Sequence, residues 1–180
     1  RGTGPGCLHA GLLFLVFLVP LANLDADTIT FNDFTDVSSL TLNGTVGGLT
    51  PNGQGVLRLT ETLDQNSSAF VTNPVSLGAD GSFSTQFLFQ MSDPEGGSDS
   101  DGPGAVGIVF VVQTAGNTAL GGGGGTLGYG GLSPSVGVEY DSWDNGADDN
   151  FNGNHVGIDL SGSIISAGIF ITLCNEPSMR

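Results

Sequence analysis

Glu139, Asp141, Asn145, Asp148, Asp149, Asn150, Asn152 and His155 crowd into the segment VEYDSWDNGADDNFNGNH, and residues of these types could together hold a cation. Side chains on a strand alternate between faces, so Glu139, Asp141 and Trp143 fall on the same one. Two carboxylates side by side repel each other unless a cation sits between them. Carboxylate, amide and carbonyl oxygens suit a hard ion such as Ca²⁺. One imidazole joined to carboxylates suits a transition metal such as Mn²⁺ or Zn²⁺ beside it. The plainer explanation is a solvated hairpin loop in which Asn and Asp merely favour turns. Turn chemistry does not explain Glu139 and Asp141 on an otherwise apolar strand.

The elements that must position these residues read as strands. In GSFSTQFLFQMS, Phe83, Phe87, Phe89 and Met91 alternate with Ser84, Gln86 and Gln90, the period of a half-buried antiparallel strand. Shorter patterns occur in TITFNDF, SLTLNG, GVLRLTE and SAFVTNPVSL, and GAVGIVFVVQT and SVGVEYDSW are apolar enough for central strands. HVGIDLSG and IISAGIFITL continue in the same character. Turn residues punctuate them at Asn43-Gly44, Pro51-Asn52-Gly53, Asp80-Gly81 and Asn145-Gly146. Residues 92–104 form an acidic, glycine-rich loop, and residues 120–131 a low-complexity loop expected to be flexible. An all-β, two-sheet sandwich is the economical architecture.

Composition agrees. Glycine supplies 31 of 180 residues and charged residues only 12%, too few for long amphipathic helices, while 38% hydrophobic residues can build a core. The formal net charge is −15, lysine is absent, and Arg1, Arg58 and Arg180 are the only Lys or Arg residues. Phosphate backbones and anionic membranes both require cationic side chains, which disfavours nucleic acid and anionic lipid as partners. Divalent cations would be attracted. The apolar run GLLFLVFLVPLANL, after Arg1 and His9, reads as a secretory signal peptide over residues 1–26, too short and too interrupted by Pro20 to span a bilayer. Residues 27–180 then form one secreted domain. Removal of the leader takes Cys7 and leaves Cys174 without an internal partner.

SVGVEYDSWDN followed by NGNHVGIDLSG closely resembles the metal-binding region of legume-type (L-type) lectins, especially their bacterial members. SLTLNG, LRLT, AFVTNPVSL, GSFSTQFLFQMSDP and GIVFVVQ match the same family in order and spacing, so the resemblance covers roughly residues 28–168. It implies a concanavalin-like jelly-roll sandwich that binds glycans or glycoconjugates, with oligomerisation left open. By position, Glu139, Asp141 and His155 would ligate the transition metal. Asp141, the Trp143 carbonyl and Asn145 would ligate calcium. The family's second bridging aspartate falls on Asn150, with Asp149 one residue earlier, so either Asp149 substitutes or the second metal is weakened. The sugar would meet Asn145, Trp143 and a backbone N–H near Gly124 or Gly125. The family's sugar-binding aspartate is replaced by Val106, which has no acceptor, although Asp99 or Asp101 lies near in sequence. The family continues for several strands beyond HVGIDLSG, so the sequence is expected to be a fragment that aggregates or is partly unfolded when expressed alone.

Other readings compete. Glu139 to Asp144 resembles the E-x-D-x-x-E signature of a jelly-roll family of glycoside hydrolases, which needs two carboxyls about 5–5.5 Å apart. The place of its acid is held by Asp144 in an Asn-Gly turn, which sets neither reach nor orientation. Asp148 to Gly153 with Asp159 fits an EF-type loop, but HVGIDL has strand character where a helix is needed. A structural or adhesive surface domain could use calcium for stability alone. The glycine run lacks the lysine of a phosphate-binding loop, and the sequons at Asn43 and Asn66 matter only in a eukaryotic secretory host.

Overall fold

Valine and isoleucine are dense in GIVFVVQ, SVGVEYD and HVGIDL, and branching at Cβ favours extended backbone on a pleated surface. A computed structural model describes residues 28–44, 55–91, 97–99, 102–105 and 107–172. The chain divides into a first unit, Arg1–Asn32, and a second, Asp33–Arg180. In the first unit only residues 28–32 are described, and they form no strand; the expected leader lies outside the described residues.

The second unit is built from antiparallel pairs. β1 (Leu40–Gly44) pairs with β2 (Ser67–Val71), Leu42 opposite Ala69. β3 (Ser98–Asp99) and β4 (Gly102–Pro103) make a small hairpin. β5 (Gly107–Gln113), β6 (Ser135–Asp141), β7 (His155–Leu160) and β8 (Gly168–Thr172) form a four-stranded sheet in that order. No α-helix occurs among the described residues.

Three segments depart from the expected strands. TITFNDF forms no strand: Asp33 within it accepts the N–H of Thr35 at 3.0 Å, and Asp36 just after it accepts that of Ser38 at 2.9 Å. Such side-chain turns offer the backbone an alternative to a ladder. Residues 58–61 of GVLRLTE form no strand. Residues 81–91 form no strand and alternate in burial only near their end: Phe89 and Met91 are half-buried, whereas Phe83, expected on the same face, is 56% exposed and Leu88 is 96% exposed. Side-chain packing holds this stretch instead. Phe87 stacks on Phe110 with centroids 5.8 Å apart, and Phe89 lies 4.8 Å from Tyr140.

The two faces of the large sheet reverse the usual pattern. Ser135, Glu139, Asp141, His155 and Asp159 are buried, whereas Val136 and Leu160 on the opposite face are 46% and 49% exposed. Loops account for the burial. Tyr129, 1% exposed, lies over Gly137 and hydrogen-bonds through its hydroxyl to Ser135 at 2.8 Å.

The glycine-rich segment is not the flexible loop its composition predicts. Gly121 donates to Gly128 O, Gly128 to Gly122 O and Gly122 to Gly130 O, at 2.7–2.9 Å, and a short 3-10 turn spans Gly124–Thr126. Asn66 Nδ2 donates to Gly121 O at 2.9 Å, Ser68 Oγ to Ala119 O at 2.7 Å and Asn43 Nδ2 to Asn117 O at 2.8 Å. The carboxamides of both sequons are therefore spent on bolting β1–β2 to the segment that precedes and enters the glycine turn.

Candidate metal centre and adjoining cleft

β6 and β7 bring the ionisable residues together by register. Asp141 lies directly opposite His155, and Glu139 opposite Gly157, all on the buried face. Ligand atoms of Glu139, Asp141 and His155 lie within 4.8 Å of one another. His155 Nδ1 sits 2.7 Å from the Asn152 carbonyl, which can only accept, so Nδ1 carries the proton. That bond orients the ring and turns Nε2 inward, 3.2 Å from Glu139 Oε1.

Asp149 completes the group. A left-handed Gly146 opens a 3-10 turn, Gly146–Asp149, and Asn150 closes it at φ 53°, donating its N–H back to Gly146 O. The turn carries Asp149 inward, 1% exposed and 3.8 Å from His155 Nε2, where it accepts the N–H of Asn145. Asn150, expected at the place of the bridging aspartate, is exposed instead, because closing the turn directs it away. Asp149 therefore stands at the centre and Asn150 does not.

Two further residues belong to this neighbourhood. Asp159 is fully buried on β7, and Ser166 Oγ donates to Glu139 Oε1 at 2.6 Å and lies 3.0 Å from Asp159 Oδ1. Asp159 Oδ2 is buried with no hydrogen-bond partner. The sequence placed Asp159 only at the end of an EF-type loop, although its even spacing from His155 was a signal that could have found it here; Ser166, beyond the strand, carried no signal. Gly157 makes the space for them. A Cβ there would meet Glu139 Oε1 at 2.3 Å and Ser166 Oγ at 2.1 Å. Gly157→Ala is expected to destabilise the protein by about 1–3 kcal/mol through overpacking, read as a lower melting temperature in EDTA. A melt equal to the parent's would mean the site has slack.

Electrostatically the site is poised for a cation. Burial pushes Asp141 up to about 7, against the N–H of Trp143, which donates to its Oδ1 at 3.0 Å. Burial raises Asp149 as well. Asp159 is raised by burial and then by the charge of Glu139. Glu139 is held low despite burial, by hydrogen bonds from His155 and Ser166 and its contact with Asp159. Burial opposes protonation of His155, but Glu139 and the Asn152 carbonyl outweigh it and lift the imidazole to about 9. Without a metal, protons supply the positive charge that this group of acids demands. The donor set, oxygens with one inward imidazole nitrogen, fits a calcium and transition-metal pair.

An open cleft of about 200 Å³ adjoins the centre, lined by Ala105, Gly124, Gly125, Leu127, Asp141 and Trp143. That is below the ~300–1,000 Å³ usual for drug-sized ligands, and leaves room for about one ring. Asn145 stands at its edge, its Oδ1 only 2.9 Å from where a Cβ on Gly125 would be. The residues expected to meet sugar thus gather in one place, apart from Val106, which lies outside the described residues.

The residues of two competing readings lie in different surroundings. Asp144 Oδ1 is taken by the N–H of Gly146 at 2.6 Å, within the turn. The EF-type reading needs Asp148 and Asn150 as ligands beside Asp159, but both are exposed while Asp159 is buried against Glu139 and Ser166.

A family model described as legume lectin domain matches residues 26–171. Proteins of this family are non-enzymatic, carbohydrate-binding β-sandwiches of concanavalin-like form that generally bind calcium and a transition metal. The match spans most of the chain and includes the strands and turns that assemble the buried acids and the cleft, so this protein belongs to the legume lectin domain family.

Proposed function

We infer that this chain is a secreted lectin domain whose sugar cleft is organised by bound calcium, with a transition metal such as Mn²⁺ beside it. Asp141, Asp149, Asn145 and the Trp143 carbonyl would hold calcium; Glu139, Asp141, Asp149 and His155 would hold the transition metal. The metals would supply fixed positive charge that shapes the loop from Trp143 to Asn152. Trp143 offers the ring an apolar platform, while Asn145 and the backbone at Gly124 and Gly125 offer hydrogen bonds. The observation that carries this reading is Asp141, buried in the acidic centre and lining the cleft at once.

A glycan array run with and without EDTA tests it. Glycan signal that disappears with EDTA and returns with calcium is the expected result. A second reading has its own support: apart from Asp141, the cleft is lined by apolar side chains and glycines. Metal-dependent thermal stabilisation without any glycan signal would establish a structural or adhesive domain in place of a lectin.

A further inference from the structure

We propose that Asp99 is a positioning residue, a clamp by which the metal loop docks the β3–β4 hairpin beside the sugar cleft; the link to sugar rests on the lectin reading above. The described ladder of the hairpin is short. Its ladder consists of Ser98 opposite Pro103 and Asp99 opposite Gly102, followed by Gly104 N–H to Gly97 O at 3.0 Å. Its attachments to the metal loop are specific. Asp99 Oδ2 accepts the backbone N–H of Asp144 at 3.0 Å. The same oxygen rests over Gly153, where a Cβ would come within 2.4 Å. Gly97 rests on the Trp143 indole, its own would-be Cβ 2.6 and 2.9 Å from two ring carbons.

These contacts meet the loop at consequential points. Asp144 lies between Trp143 and Asn145, and Gly153 follows Asn152, whose carbonyl orients His155. On the hairpin side the chain leads directly to Ala105 in the cleft wall. A loop ordered around its acids presents the Asp144 N–H and the bare backbone of Gly153 in register for one carboxylate. The hairpin then closes against Trp143. Asp99 lies near Val106 in sequence, but the geometry commits its Oδ2 to the loop. A charged acceptor suits the task, since bonds from N–H to carboxylate are stronger than neutral ones.

Trp143 is the only tryptophan in the chain, so its fluorescence reports whether the hairpin is seated. The full chain is compared with Asp99→Ala, Asp99→Asn and Gly153→Ala, with calcium present. Asp99→Ala and Gly153→Ala are expected to red-shift the emission and raise acrylamide quenching towards that of free indole. Their sugar affinity should fall about 10-fold, the order expected for losing one hydrogen bond to a charged acceptor, while calcium affinity by calorimetry falls less than sugar affinity does. Asp99→Asn keeps an acceptor oxygen and should restore both emission and quenching. Emission and quenching unchanged in Asp99→Ala, or no rescue by asparagine, would overturn the clamp. Loss of cooperative melting in both Asp99 variants would also overturn it, by making the residue a general support of the fold. If the parent binds no sugar, the lectin reading fails, and the fluorescence comparison still decides the clamp.

Discussion

Asp141→Asn is expected to lower calcium affinity at least about 100-fold, the upper end of what even an outer partner is worth to a metal site, and to abolish calcium-dependent sugar retention. Asp141 is 1% exposed, lies opposite His155 and lines the cleft. Asparagine keeps the shape and the acceptor for the Trp143 N–H, which binds Oδ1 at 3.0 Å, and removes only the charge. The variant should therefore fold. In EDTA at neutral pH it should melt at or above the parent, because it no longer has to bury a carboxylate whose pKa burial has raised to about 7. In calcium the order should reverse. A hundredfold excess of calcium over Kd adds about 2.7 kcal/mol to the parent, which moves Tm by about 5–10 °C in a domain of this size. Calorimetric titration and paired melts measure both effects; a variant that binds calcium as tightly as the parent would remove Asp141 from the site.

The second large effect is a pH dependence whose sign depends on the metal. Folded Asp141 keeps its proton to about 7, whereas the unfolded carboxyl loses it near 3.8. Between those values the unfolded state binds fewer protons, so stability falls as pH rises. Asp149 and Asp159, both raised, act in the same direction. His155 contributes stability that is fully present below 6.5 and is lost as pH rises through about 9. Glu139, held low, acts oppositely, and its contribution is lost on acidification below its ordinary 4.5. The metal-free protein should thus be most stable near pH 4–5 and weaken steadily to about pH 9. Calcium requires ionised carboxylates, so its affinity should rise over the same interval. Melting temperatures in EDTA and in calcium should diverge as pH increases. Parallel curves would show that the buried acids are not the metal site.

How far the sequence carried can be seen at particular residues. The even spacing of Glu139 and Asp141, and of His155 and Asp159, places each pair on one face, because alternation is a property of any strand. β1, β2 and β5 to β8 were legible for the same reason. TITFNDF has comparable alternation but forms no strand, and Asp33 and the nearby Asp36 satisfy local N–H groups instead. The glycine segment looked flexible because composition carries no information about distant partners such as Asn66 and Ser68.

By itself the sequence determined the all-β class, the family, and which residue types could face a cation. The class and the residue types followed from local rules, namely period two, turn chemistry and the chemistry of donor atoms, whereas the family followed from the resemblance of SVGVEYDSWDN and NGNHVGIDLSG to legume-type lectins. Only the tertiary structure decided that Asp149 turns inward while Asn150 turns out, because the left-handed residues Asn150 and Phe151 at the end of a 3-10 turn set that choice. Only the structure joined Ser166 to Glu139 across the opening left by Gly157, and Asp99 to Asp144. Those contacts depend on register and on the path of loops between strands, and side-chain alternation within one strand specifies neither.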